Sequence, residues 1–100
     1  MNPRERLEAL EQVFAALGHA SRRQILLTVH IRGEMSAGDI AKRFEHAWPT
    51  ISRHLRVLKD AGLLVHEKEG RTRTYRVAYD RLEIARKWFA WFDKEPRGGP

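Results

Sequence analysis

The stretch WPTISRHLRVLKDAGLL, residues 48–64, decides how the rest of the chain is read. At ~3.6 residues per helical turn, Ile51, Leu55 and Leu58 share one side. Pro49, Arg53 and Arg56 fall roughly opposite, with Ser52 at the edge of that second face. One face is made for burial; the other carries a hydroxyl and two guanidinium groups at matched spacing. Arginine can donate two hydrogen bonds to a guanine edge in a major groove, and serine can bond several bases.

Working outward, Gly62 ends this helix, and Leu63 to Glu69 and Thr72 to Tyr79 read as two strands around Gly70-Arg71. The segment EKEGRTRTY, residues 67–75, is therefore a basic hairpin. Tyr75, Val77 and Tyr79 alternate, so that face of the second strand is expected to pack inward. On the N-terminal side, Ser36 with Asp39 opens a short helix through Ile40, Ala41 and Phe44, and Glu45-His46-Ala47 is the link to the next. Ala47 stands where a small polar cap is usual, and Pro49 partly compensates by fixing φ. Two short helices joined by three or four residues, the second amphipathic and basic, form a helix-turn-helix. With the hairpin beside it, the layout is that of a winged helix-turn-helix: mainly α with a small two-stranded wing, about five helices in all.

The remaining helices complete the count. Asn2-Pro3 starts the first, which carries Leu7, Leu10, Phe14 and Leu17 and stops at Gly18. Ser21 and Gln24 suggest a capping box for the second, with Ile25, Leu26 and Val29; Gly33 breaks it. Asp80 is expected to cap a last helix, on which Leu82, Ala85, Phe89 and Phe92 lie on one side. Ile84, Trp88 and Trp91 extend that arc to about 160°, against the ~100° that one packed surface requires. Residues 1–94 are expected to form a single domain and 95–100, EPRGGP, a disordered tail.

Composition narrows the chemistry. One hundred residues have room for one modest core. Nineteen Lys plus Arg against thirteen Asp plus Glu leave +6, which favours a polyanionic partner. The absence of cysteine excludes disulfides, thiolate metal sites and cysteine nucleophiles, and fits a cytoplasmic protein. The charged N-terminus lacks a signal-peptide core and no apolar run approaches ~20 residues, so no membrane association is expected. No Gly-rich phosphate loop, metal-ligand motif or nucleophile elbow occurs, and no cofactor is expected. Ser21, Ser36 and Ser52 serve better as caps or as a reading residue. An enzyme is not expected.

Four segments carry a resemblance to a known family. FAALGHASRRQILL (14–27), SAGDIAKRF (36–44), PTISRHLRVLKDAGLL (49–64) and EGRTRTYRV (69–77) resemble the ArsR family of bacterial winged-helix transcriptional regulators, from about Val13 to Phe92. The resemblance implies a homodimeric repressor on a two-fold symmetric, palindromic operator in double-stranded DNA. It leaves open the inducing signal, whether an effector ligand or a protein. Metal-binding members place cysteines where this chain has Ser36, Ala37 and Gly38, or a carboxylate with histidines on the last helix, where it has Asp80 and no histidine. His19, His30, His46, His54 and His66 show no pair at i, i+3 or i+4 spacing, so no metal response is expected.

The expected DNA contacts are then Ser52, Arg53 and Arg56 on base edges, with Trp48, Pro49 and Thr50 near the start of the same helix. Arg71 and Arg73, with Arg76 and Lys68 behind them, reach the minor groove or phosphates, and Lys42 with Arg43 approaches the backbone. Dimerisation is expected to use Leu7, Leu10 and Phe14 from the first helix with Ile84, Trp88, Trp91 and Phe92 from the last. The rival reading is a winged-helix protein–protein interaction module without DNA binding; it has no need of the Arg53/Arg56 face or the basic wing.

Overall fold

A computed structural model describes residues 1–97. Its elements are α1 (Pro3–Leu17), α2 (Ala20–Arg32), β1 (Met35–Ser36), α3 (Ala37–Phe44), α4 (Trp48–Asp60), β2 (Leu64–Glu69), β3 (Thr72–Val77) and α5 (Asp80–Ala90). A single 3₁₀ turn, Trp91–Asp93, follows α5. The last three residues of the expected tail lie outside the described part.

Local chemistry explains most boundaries. The Asn2 side chain accepts from the Glu5 backbone N–H at 2.8 Å and donates to the Glu5 carboxylate at 2.8 Å, closing the first turn of α1 reciprocally. Ser36 Oγ accepts from the Asp39 N–H at 3.1 Å and caps α3. Glu45, in the left-handed region at φ 52°, turns the chain from α3 into α4. Ala47 supplies no side-chain cap, and Pro49 sits in the first turn.

The second helix departs from expectation. It starts at Ala20 with His19 flanking it, and no side chain caps it. Ser21 is inside the helix, its hydroxyl 3.5 Å from His46 Nε2. The link from α1 is so short that two arginines of α2 serve the preceding helix instead. Arg22 donates to the carbonyls of Ala16 (2.7 Å) and Ala15 (3.2 Å), and Arg23 to that of Leu17 (2.7 Å). These are carbonyls that a helix C-terminus leaves without partners.

The wing is one strand larger than the sequence suggested. Gly33, at φ 86°, ends α2 and returns the chain so that Met35 pairs with Tyr75 and Ser36 with Thr74. The antiparallel order is β1-β3-β2, with Leu64 opposite Val77 and Glu69 opposite Thr72. Strand β3 stops at Val77. Tyr79 does not continue the inward face: it is exposed and its phenol lies 2.6 Å from His30 Nδ1. Tyr79 is also the residue flanking α5, so Asp80 is the first helical residue and not its cap.

One core joins these elements. Val13, Ile25, Val29, Ile40, Ile51, Leu55, Leu58, Leu63 and Leu64 are fully buried. Each such side chain contributes roughly 1.5–3 kcal/mol of transfer free energy. Ile51, Leu55 and Leu58 together fix the rotation of α4 about its axis. That rotation decides which residues remain outside.

Candidate nucleic-acid interface

With its apolar stripe held down, α4 turns Trp48, Pro49, Arg53 and Arg56 to solvent and leaves Thr50 and Ser52 half-buried. The hairpin stands beside this face. Trp48, Ser52, Arg56 and Lys59 of α4 line a common concavity with His66, Arg73 and Tyr75 of the wing. On the other side of Trp48, a wider hollow of about 650 Å³ is lined by Ser36, Lys68, Gly70, Arg71 and Arg73. Trp48 and Arg73 belong to both walls, so the helix and the wing bound one continuous basic surface.

Not every expected residue joins it. Arg53 and Pro49 face outward from α4 and line neither hollow, and Lys42 on α3 is exposed away from both. Arg43 lies over the Phe44 ring, 5.8 Å from its centroid. Arg76 forms an ion pair with Glu67 at 2.6 Å across the hairpin, which offsets its charge. Arg53, Arg56, Arg71 and Arg73 form no ion pair among the described residues, and neither does Lys59.

Behind the exposed face, His54 is buried, as a hydrogen-bonded residue at the core margin should be. Its Nδ1 accepts from Arg22 Nη1 at 3.5 Å, and its ring lies 4.7 Å from that of His19. Burial pushes the His54 imidazole below its ordinary range, helped by the positive surroundings of His19, Arg22, His46 and Arg53. Arg22 therefore touches both the end of α1 and the back of α4.

A helix whose basic face is flanked by a cationic wing finds its counterparts among known regulators. A helix-turn-helix domain family model matches residues 17–67. The transcriptional repressor SdpR of Bacillus subtilis is 34% identical over 83 residues, covering 83% of this chain and 91% of its own length. A crystal structure of an ArsR family transcriptional regulator superposes with a TM-score of 0.77 at 28% identity, over 92% of this chain and 91% of that one. The chain belongs to the ArsR family of winged-helix regulators. An ArsR-like transcriptional regulator from Rhodococcus sp. RHA1 is similar too, with a TM-score of 0.73 at 33% identity over 87% of this chain and 85% of that one. The arsenical resistance operon repressor of Escherichia coli is 34% identical over 67 residues, and this chain spans 57% of its length. As an ArsR-family member, the protein is a DNA-binding transcriptional regulator.

Sequence reading missed two parts of this surface. Lys59 follows Ser52 and Arg56 at i+7 and i+3, so helical spacing alone placed it on the reading side. His66 and the His19–His54 pair carried no such signal, because residues distant in sequence create their surroundings.

The other exposed surface is apolar. Leu7 and Leu10 of α1 line a groove of about 380 Å³ with Ile84, Trp88 and Trp91. Phe14 is half-buried, with its ring 5.2 Å from Trp88 and 5.9 Å from Phe89, edge to face. The helical arc expected through Phe92 ends early, since Trp91 and Phe92 sit on the tighter 3₁₀ turn. The Phe92 ring lies 5.0 Å from that of Trp88, tilted by 59°, and remains 72% exposed.

Proposed function

We propose that the protein is a homodimeric repressor that binds a palindromic operator. In this reading each protomer places α4 in a major groove, with Ser52, Arg53 and Arg56 on base edges. Trp48, Pro49, Thr50 and Lys42 contact the sugar-phosphate backbone, and Arg71 and Arg73 of the wing flank it. The observation that carries the proposal is the concavity shared by Ser52 and Arg56 of α4 and Arg73 of the wing. It supports simultaneous engagement of one duplex by both elements. Relatives that are transcriptional regulators support a binding protein in place of an enzyme.

Arg53→Ala should cost roughly 1–3 kcal/mol on the preferred operator and relax sequence preference. Arg73→Ala should weaken binding to all sequences and flatten the salt dependence. Quantitative binding to an operator recovered by genome-wide selection tests both. Unchanged affinity and preference in Arg53→Ala would show that the reading face of α4 is misplaced, and recovery of no palindromic motif would favour a protein-binding module.

The proposal includes no response to metals. Relatives named for arsenical and cadmium resistance raise that possibility. The chain has no cysteine, and no group of three or more His, Cys, Asp or Glu suited to a metal occurs among the described residues. Titrating zinc, nickel or arsenite into the DNA complex should leave affinity unaltered; release at micromolar metal would overturn this part. No helix among the described residues is long and apolar enough to cross a membrane, in keeping with a cytoplasmic regulator.

A further inference from the structure

Helix α2 sends Ile25, Leu26 and Val29 into the core, yet it carries a second apolar stripe on the outside. Leu27 is 58% exposed and Ile31, one turn further on, 73%. Large aliphatic side chains grouped on an exposed face mark an interaction site. Beside Leu27 the surface sinks into a hollow of about 250 Å³. Its apolar walls come from four elements: Leu17 at the end of α1, Leu26 and Leu27 of α2, Val77 at the end of β3, and Leu82 in the first turn of α5. Arg23 and His30 complete the lining, and no carboxylate belongs to it. Arg23, Leu27 and His30 follow one another at i+4 and i+3, so one face of α2 supplies all three. The hollow shares no lining residue with the two basic concavities or with the α1–α5 groove.

The two polar residues set the charge of the occupant. Arg23 Nη1 donates to the Leu17 carbonyl at 2.7 Å, which holds the guanidinium at the wall. Arg23 forms no ion pair among the described residues, and its remaining N–H groups can serve a ligand. The phenol of Tyr79 holds His30 Nδ1 at 2.6 Å and leaves Nε2 for a second bond. Aliphatic walls with a guanidinium and an imidazole on one side suit a ligand with an apolar body and one anionic end. Volume limits its size. A cavity of roughly 150 Å³ holds benzene, so this one has room for a single ring or a short chain bearing a carboxylate. We propose that the hollow binds a small apolar monocarboxylate, with its carboxylate on Arg23 and His30 and its hydrocarbon body on Leu26, Leu27, Val77 and Leu82. The site uses none of the residues assigned to DNA binding or dimerisation and stands independently of that reading.

The test follows methyl resonances of the full-length protein by NMR during titration with phenylacetate and octanoate, and with the neutral amide of each. At least one acid should give saturable shifts at Leu26, Leu27, Val77 and Leu82. Its amide lacks the charge and should bind about tenfold more weakly, or worse. Arg23→Gln keeps a donor for the Leu17 carbonyl and should bring the affinity for the acid down toward that for the amide. Leu27→Glu changes an exposed position, so the fold should persist, and the added carboxylate should repel the acid more than the amide. If Arg23→Gln loses its fold, Leu27→Glu decides. No saturable shift with either acid overturns the site, as do shifts centred on Leu7, Leu10 and Ile84 of the α1–α5 groove. Amides that bind as tightly as their acids overturn it as well, and so does unchanged affinity for the acid in both variants. Sedimentation of Leu27→Glu should match wild type; a lower mass would give this face to a second copy of the chain and overturn the ligand site. A wild type that binds no DNA would sink the proposed function and leave these titrations as they are.

Discussion

At the scale of single residues, the contact between Arg22 and His54 ties the reading helix to the end of α1. Arg22 Nη1 donates to His54 Nδ1, which requires that nitrogen to be unprotonated. Protonation removes the acceptor and sets imidazolium against guanidinium, with His19 close by. The His54 imidazole is lowered from 6.5 in the fold, chiefly by burial. The unfolded chain therefore binds the proton more readily than the folded one. Stability is complete above pH 6.5 and is lost as pH falls through that value toward the lower folded one. Thermal midpoints measured from pH 8 to 5 should decline, and His54→Gln, which keeps an acceptor, should flatten the decline. The residual slope belongs to His66, whose imidazole burial also lowers. An identical decline in His54→Gln and wild type would show that the Arg22 contact does not sense pH.

Among elements, the passage from α4 to β2 is the tightest geometrically. Gly62 takes φ 75°, and a Cβ there would lie 2.7 Å from Cγ of Arg81. Gly62→Ala should thus cost about 1–2 kcal/mol from the left-handed backbone, plus the displacement of Arg81. Urea unfolding of Gly62→Ala alone and with Arg81→Ala separates the two, since only the second part is relieved in the double variant. Equal stability of Gly62→Ala and wild type would mean that the turn can change its backbone. This element was legible in sequence because its determinants are local: an apolar period along α4, then a glycine, then alternation. The exposures of Arg53 and Arg56 followed from the same period. What escaped reading depended on distant partners. Strand β1 is two residues long and exists only because β3 lies beside it. The start of α2 is set by arginines committed to α1, and Tyr79 turns outward to reach His30. Likewise the concavity beneath Arg73 needs β2 and α4 side by side: helical spacing carried a signal for Lys59 that the reading passed over, and nothing local marked His66.

For the whole molecule, the balance of exposed surface points to self-association. A small protein of net charge +6 leaves Trp91 66%, Phe92 72%, Phe89 58% and Leu7 59% exposed around the groove between α1 and α5. Contiguous apolar surface of this kind marks an interaction site. The groove contains Leu10, Ile84 and Trp88, with Arg6 and Lys87 also among its lining residues. A second copy related by a two-fold axis would present the same apolar patch, and a dimer on a palindromic operator needs its two α4 helices one DNA turn, ~34 Å, apart. The protomer itself is elongated, 57 × 27 × 22 Å. Phe14 and Trp88 already pack against each other, so replacing them would disturb the fold as well as association. Leu7 and Trp91 make the cleaner test. Sedimentation at micromolar concentration should show a dimer, and Leu7→Glu with Trp91→Glu should shift it toward 11.7 kDa without lowering the thermal midpoint appreciably. The same variant should bind an isolated half-site as wild type does and lose the gain from joining two half-sites, typically 10²–10⁴-fold (about) for linked modules. A wild-type protein sedimenting stably at 11.7 kDa, or a double variant of unchanged mass, would remove the α1–α5 surface as the dimer interface.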